Sequence, residues 1–508
     1  MAELSRRGDD RPYPPGSYPV VVVGSGPGGL QLSYALTRLG VRHAVISADD
    51  APGGMFRRWP LFQRLLSWTK PYASVEPGSR VHERYDWNSL IADEPPNRAI
   101  MAEFMDGTSS FPSRPEMERN LAAFAERTGT LVRYGCSWTA TRRKAGKSGE
   151  TFVLETSDGD YECEAAVFAI GVAEPRMATT PGIERAVHYA DTREAKSYAG
   201  KRVLIIGKAN SAFEVASGLL PWARGIALVS PSTAKLSVNT RSLVGVRARY
   251  VQPYEDHVLG GGVAIVDAAI ARLEPAGDGA TRVALRRTDG GSDLDIVVDD
   301  VIAATGFVAP TLDLPKLGVA VVGRSEVPAQ TPYWESATVP GIYFAGTISQ
   351  GAAGLQKHGL PANSGAVHGA RYNARVLARY LARTRFDATE PQPRIAPGEL
   401  VDRLLDQAST SPELWHQRSY LAWVATRAED GGWLDGGIEP LAAILDAPGP
   451  DAVVLAIESD AAGRIYPVVY LRTARGTTER PIEPDPLLEF AGPDQRRQVA
   501  DAVAAVRR

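Results

Sequence analysis

The chain has 508 residues, 44% hydrophobic and 23% charged, a globular composition too long for one ordinary core and suited to roughly two to four domains. A net charge of -3 gives no reason to expect nucleic acid or an anionic membrane as partner. Two cysteines, Cys136 and Cys163, in no C-x-x-C pair, argue against a disulfide scaffold, a cysteine zinc site and a dithiol redox centre. They suit a reducing compartment, and the opening residues show no signal-peptide core, so a cytoplasmic, non-membrane location is expected.

In chain order, "YPVVVVG" predicts a buried strand, "LQLSYALTRLG" a helix stopped at Gly40, and "HAVIS" a second strand. Between the first strand and the helix, Gly24, Gly26 and Gly29 stand in G-x-G-x-x-G spacing. In that context the first glycine permits a tight turn, the second lets backbone approach a pyrophosphate, and the third allows close helix–sheet packing. Ser25 and Gly28 belong to the same turn. The slot for a ribose-binding acid falls on Ser47, with Asp49 and Asp50 just beyond as alternatives. A loop-rich region follows to about Ser110. "PSRPEMERNLAAFAERTG" then predicts a helix, with Pro115 early and Gly129 past its end. "CEAAVFAIG" reads as another core strand.

A second strand–turn–helix unit begins near Gly200 with "KRVLIIGKANSAFE". Here Gly207, Ala209 and Ala212 occupy the three glycine places, while Lys208 flanks the turn and Asn210 and Ser211 add donors at the helix start. Alanine at the middle place suits a more loosely held nucleotide. The pair of turns implies a resident FAD and a visiting nicotinamide that delivers hydride. "IAATGF", with Thr305 and Gly306, and "YFAGT", with Gly346 and Thr347, end strands at domain junctions. The expected class is α/β: two Rossmann-like dinucleotide-binding domains plus a C-terminal α+β extension. The FAD domain is split into 16–195 and 301–388 around an NAD(P)H domain at 196–300. "EPQPRIAP" is the linker to the extension, 398–508, whose use as lid, homodimer surface or packing domain is open.

The motifs "GSGPGG", "APGGMF" (which includes Gly54), "GKANSAFE", "AATGF" and "YFAGT" resemble those of two-dinucleotide-binding-domain flavoproteins, in the class B flavin monooxygenase-like branch. Within it, "RYDWNSL", "GKANSAFE", "AKLS" and "HGARYN" look most like the FAD-dependent oxidoreductase-domain proteins. The resemblance extends to biosynthetic N-monooxygenases that oxidise L-aspartate to nitrosuccinate. The chain departs from Baeyer–Villiger and flavin-containing monooxygenases, because Gly182, His188 and Thr192 fail their fingerprint before the second turn. It also carries Ser67 where the latter place an Asn, three residues before the retained Lys70.

The resemblance implies an FAD- and NADPH-dependent monooxygenase in which a flavin hydroperoxide oxygenates a substrate amine, by successive N-oxidations in the aspartate case. Its partners are then a small amine and O2. A hydroperoxide needs a dry site, and the amine must be neutral to offer its lone pair. A dicarboxylate needs cationic clamps, for which Arg57, Arg58 and Arg64 are the substrate-binding candidates. Lys70, Lys357 and His358 are the catalytic candidates beside the flavin. The 2′-phosphate of NADPH is expected to meet Lys235 and Arg241, with NADH left open, and no metal is expected. The alternatives are an NADPH-dependent flavin oxidase or reductase that inserts no oxygen, and a non-catalytic flavin-binding interaction protein.

Overall fold

The computed structural model describes residues 10–58, 64–145, 150–234, 262–359, 361–396, 398–460 and 462–505. Strand β1 (Val20–Val23) is a run of β-branched residues, with Val20, Val21 and Val22 fully buried. Burying each such side chain contributes about 1.5–3 kcal/mol, so a strand apolar on both faces belongs at a sheet centre. Helix α1 (Pro27–Arg38) starts with Pro27, whose missing amide hydrogen costs nothing there, and ends before Gly40. β2 (His43–Ile46) pairs parallel with β1. Helix α2 (Arg114–Arg127), expected from Pro115 and Gly129, also carries a capping box, with Ser113 and Glu116 each bonding the other's backbone. β3 (Ala165–Phe168) lies on the other side of β1.

The second unit repeats this logic. β4 (Arg202–Ile206), α3 (Asn210–Leu219) and β5 (Gly225–Ser230) follow one another, and β4 pairs parallel with β5. β6 (Val263–Pro275) extends the sheet in parallel; β7 (Thr281–Arg287) and β8 (Leu294–Val298) continue it as an antiparallel meander. β9 (Asp300–Ala303) pairs parallel with β4 on its other edge. With the short strand Val187–His188, the order is β8-β7-β6-β5-β4-β9 and then Val187–His188. β10 (Ile342–Phe344) returns to the first sheet beside β3, giving β10-β3-β1-β2, all parallel. The fold is therefore α/β with two Rossmann-like units.

Helix α4 (Val367–Arg385) packs along α1. Beyond it, α5 (Leu400–Thr410) precedes an antiparallel sheet of β11 (Leu421–Arg427), β12 (Trp433–Pro440), β13 (Ala452–Ser459), β14 (Ile465–Thr473) and β15 (Gly476–Pro481). Its order is β12-β11-β13-β14-β15, with the short strand Arg394–Ile395 outside β12. All eight residues of β13 are buried, so this sheet is covered on both faces. One face joins the same apolar core as α1 and α4, which ties the extension to the first unit. No helix among the described residues is long and apolar enough to cross a membrane.

Candidate functional site

Both glycine turns are built alike. The Gly24 amide donates to Ile46 O at 2.8 Å and the Gly207 amide to Val229 O at 2.8 Å, each joining its turn to the neighbouring parallel strand. Each glycine has positive φ, 114° and 130°, and a Cβ would lie 2.5 Å from Ala169 O in the first unit and 2.7 Å from Ala304 O in the second. Those two positions therefore exclude side chains.

The units differ at the next two places. A Cβ on Gly29 would meet Gly24 O at 2.0 Å, whereas Ala212 carries its methyl buried without solvent contact, so the second helix sits further from its turn. A Cβ on Gly26 would meet nothing within 4 Å. No protein packing demands glycine there, and the open space is what a phosphate close to the backbone requires.

That space belongs to a cavity of about 770 Å³, within the range of cofactor sites. From the first unit Gly24, Ser25, Gly26, Gly28, Ser47, Asp49 and Gly54 line it; Gly346 and Thr347 close it from beyond β10. Gly28 and Gly346 touch, and a Cβ on Gly28 would come within 2.3 Å of Gly346. Ser25 Oγ and Ser47 Oγ lie 2.9 Å apart, and the Asp49 amide donates to Ser47 Oγ at 3.2 Å. Asp49 thus faces the cavity rim, while Asp50 is largely exposed and paired with Arg57.

Asn210 and Ser211, at the start of α3, line the same cavity. Gly207, Lys208 and Ala209 do not line it. Lys208 is buried with its ammonium bonded to Val266 O at 3.0 Å and to the Asp267 carboxylate, so it anchors β6 and is withdrawn from a ligand role. Thr305 and Gly306 also stand off the cavity. Thr305 bonds Arg176 O, and Gly306 O accepts from the Arg176 amide at 3.1 Å and lies 3.1 Å from His188 Nε2. Phe307 is the residue of that stretch that reaches the cavity.

The cationic candidates divide. Arg58 and Arg64 line the cavity, Arg58 paired with Asp49 at 3.1 Å and Arg64 with Glu116 at 3.6 Å. Arg57 does not line it, because its guanidinium is held by Asp50. Lys70 is exposed over the Tyr85 ring, away from the cavity lining. Lys357 turns to the extension, bonding Tyr470 Oη, Glu479 at 2.6 Å and Glu458 at 3.2 Å. It is a tether between loop and sheet rather than a cavity wall. Lys235 and Arg241, and the side chain of His358, lie outside the described residues. Ser67 lines the cavity and donates to the buried Asn88 carboxamide, which comes from a different place in the chain.

Sequence reasoning missed several lining groups. Tyr189 and Glu214 sit on the wall between the two units, the phenol donating to the carboxylate at 3.2 Å. His368, second residue of α4, is 1% exposed and lines the cavity. Trp87 packs on it with ring centroids 4.6 Å apart, and His416 lies 5.2 Å away. Burial, with the Arg371 and Arg418 charges adding to it, pushes its imidazole down to about 3, so it is neutral near neutral pH. "HGARYN" contained the signal, but one histidine on a helix does not announce a cavity.

Cys136 and Cys163 are buried and neither lines the cavity; burial raises both thiols, Cys163 strongly. Among the described residues no group of three or more His, Cys, Asp or Glu is placed to hold a metal ion.

A family model described as pyridine nucleotide-disulphide oxidoreductase matches residues 21–346, which span both glycine turns and the return to Gly346. The chain belongs to that family. FAD and NADPH are the cofactors of this pyridine nucleotide-disulphide oxidoreductase fold; the Gly26 opening and the Gly28–Gly346 contact fit a dinucleotide at the first turn, and Asn210 and Ser211 bring the second helix start to the same cavity. The FAD-dependent oxidoreductase domain-containing protein 2 of Mus musculus is 26% identical over 432 residues, 79% of this chain and 63% of that protein. The chain thus spans less than two thirds of that relative. A bacillithiol disulfide reductase from Staphylococcus aureus superposes with TM-score 0.56 at 16% identity, covering 73% of this chain and 99% of that one. A flavin-containing monooxygenase from Stenotrophomonas maltophilia superposes with TM-score 0.53 at 22% identity, covering 72% and 98%. These two likenesses show the fold. The family's name mentions a disulfide, yet this chain brings no thiol to its cavity.

Proposed function

We propose that this flavin oxidoreductase is an NADPH-dependent monooxygenase that oxygenates a small amine at nitrogen. The observation that carries the proposal is the shared cavity. The FAD-type turn and the Asn210–Ser211 helix start open on one space, so a hydride donor and a flavin held by these residues would meet inside the protein. Reduced FAD supplies the activation of O2. The chain's own groups hold the dinucleotides, with Ser25, Ser47 and Asp49 at one end and Asn210 and Ser211 at the other. Trp138, Phe56, Leu65 and Phe307 make much of the wall apolar, which helps to exclude water that would divert activated oxygen to peroxide. The absence of a cavity-lining cysteine removes the usual reason for such a fold to pass electrons to a disulfide.

The dicarboxylate version, L-aspartate to nitrosuccinate, would draw on Arg58 and Arg64, both already paired with carboxylates. It is the narrowest form of the proposal. The test is aerobic NADPH consumption by the FAD-loaded protein over a panel of amines that includes L-aspartate, with products identified by mass. Oxygenated nitrogen formed in step with NADPH supports the reading. Peroxide alone, whatever the amine, replaces it with an NADPH-dependent flavin oxidase.

A further inference from the structure

His368 poses a question of its own. It is almost wholly buried, and among the described residues neither ring nitrogen has a hydrogen-bond partner. Buried polar atoms left unmatched cost about 1–3 kcal/mol each, and nearly all in folded proteins are matched. The ring packs against Trp87 and His416, which also touch each other, so it is well fixed and its nitrogens are aimed rather than loose.

His368 borders a second cavity as well. It has a volume of about 240 Å³ and shares Gly365, Ala366 and His368 with the larger one. Its other polar liners are Gln350, Gln356, Asn363 and Ser364: three carboxamides and one hydroxyl. No Lys, Arg, Asp or Glu is among its described lining residues. Lys357, next in sequence to Gln356, is drawn off to Glu458 and Glu479. The chamber's polar wall is also fixed from behind. The Asn363 side chain donates to His416 O at 2.6 Å, and Ser364 Oγ accepts from Gln417 at 2.9 Å and Asn373 at 2.9 Å.

We propose that this second cavity is the substrate chamber of the oxygenation reading above, and that it selects a small uncharged molecule bearing both hydrogen-bond donors and acceptors, with His368 bonding it at the junction with the flavin cavity. Carboxamides, a hydroxyl and a neutral imidazole offer both donors and acceptors but no net charge. A carboxylate moved to the buried end of this lining, at Asn363, Ser364 and His368, loses hydration without gaining a countercharge. An amine enters in its neutral form, the form whose lone pair N-oxygenation needs. The imidazole, held neutral by burial, then serves as a positioning partner rather than as a base. The chamber's chemistry therefore points away from dicarboxylates, L-aspartate among them.

The test uses the oxidised, FAD-loaded full chain and follows perturbation of the flavin's visible absorption band. Acetamide is the uncharged probe and succinate the dianionic one. The expected result is a saturable response to acetamide and none to succinate at equal concentration. Ala353 lines only the smaller cavity, and its side is exposed. Ala353→Phe is expected to weaken acetamide by about tenfold or more, equivalent to about 1.4 kcal/mol, with FAD content and melting temperature as fold controls. Gln350→Leu, a milder change at an exposed liner, is expected to weaken it by roughly threefold. Succinate binding as well as acetamide, no response to acetamide, or an unaltered response in both variants would each overturn the chamber. The two proposals fail separately. Probe binding lost in Ala353→Phe, with no oxygenated product from any amine, keeps the chamber and removes the oxygenation. Product formed by Ala353→Phe with unchanged KM removes the chamber and keeps the oxygenation.

Discussion

Gln417, in the C-terminal extension, holds Ser364, in the loop between β10 and α4: its side-chain nitrogen donates to Ser364 Oγ at 2.9 Å. The same nitrogen donates to Asn373 Oδ1 at 2.6 Å, and the Gln417 oxygen accepts from the Asn363 amide at 2.8 Å. Gln417 is fully buried, so these bonds are formed away from competing water. The extension also grips the segment around Arg80 and Glu83, where Arg80 pairs with Glu413 at 2.8 Å and His416 Nε2 lies 3.0 Å from Glu83 O. A segment with no recognised chemical motif thereby fixes the polar wall of the smaller cavity and, through His416, packs against His368 at its junction with the larger one.

Gln417→Ala leaves the Asn363 amide, Ser364 and Asn373 short of a partner at once. The expected loss is about 3 kcal/mol of stability, the scale of a few unmatched buried groups after partial relaxation. Urea unfolding checks this. Deletion of the extension after the linker is expected to give insoluble protein, because one face of its sheet completes the core that α1 and α4 share.

The two glycines at the start of α1 separate packing from ligand binding. Gly28→Ala is expected to prevent stable folding or FAD retention, since its Cβ would lie 2.3 Å from Gly346 backbone. Gly26→Ala meets no protein atom within 4 Å, so it is expected to fold with a near-normal melting temperature while losing FAD affinity by about tenfold or more. Circular dichroism melting beside flavin content distinguishes the two, and a Gly26→Ala protein that keeps full FAD affinity would show that no phosphate approaches there.

At the second turn, Asn210→Ala and Ser211→Ala are each expected to raise KM for NADPH by about fivefold, near 1 kcal/mol, without lowering FAD content. Steady-state kinetics with NADPH as the varied substrate reads this out. Both residues line the shared cavity, whereas Lys208 is committed to Asp267 and Val266. Lys208→Met is accordingly expected to act mainly through stability.

Acid is expected to unfold the protein through its buried histidines. Burial lowers the His368 imidazole to about 3 and that of His416 well below its ordinary 6.5. In the unfolded chain both take protons near pH 6.5, while in the folded chain they resist. Stability is therefore complete above about 6.5 and falls as pH drops from there towards 3, by up to about 1.4 kcal/mol per pH unit for each group. Urea midpoints at pH 7.5 and 5.5 measure the slope. His368→Gln is expected to reduce it, and an unchanged slope in that variant would remove His368 from the account.

Periodicity and glycine spacing made both strand–turn–helix units readable, together with the helix marked by Pro115 and Gly129 and the two Gly-ended strands leading to Phe307 and Gly346. Such features are local: they depend on which residues lie within a few positions of one another. The roles of lone charged residues were not readable in that way. "FRRWPLFQR" places Arg57, Arg58 and Arg64 close together in sequence, yet one is spent on Asp50 and two reach the cavity. "QKHG" suggested an active-site lysine, but the carboxylates that claim Lys357 come from β13 and β15, about a hundred residues later.

The sequence by itself determined that the chain has two dinucleotide turns, their order, and the strands and helices that carry them. Backbone sterics at glycine and the burial periods of strand and helix act over short distances. Only the tertiary structure decided that the first turn and the start of the second unit's helix open on one cavity, that an unremarked histidine lies between it and a second chamber, and that the extension braces the wall. Those facts depend on long-range packing, where a side chain's chemistry is set by neighbours tens to hundreds of positions away: Ser364 by Gln417, His368 by Trp87, and His416 by the Glu83 carbonyl.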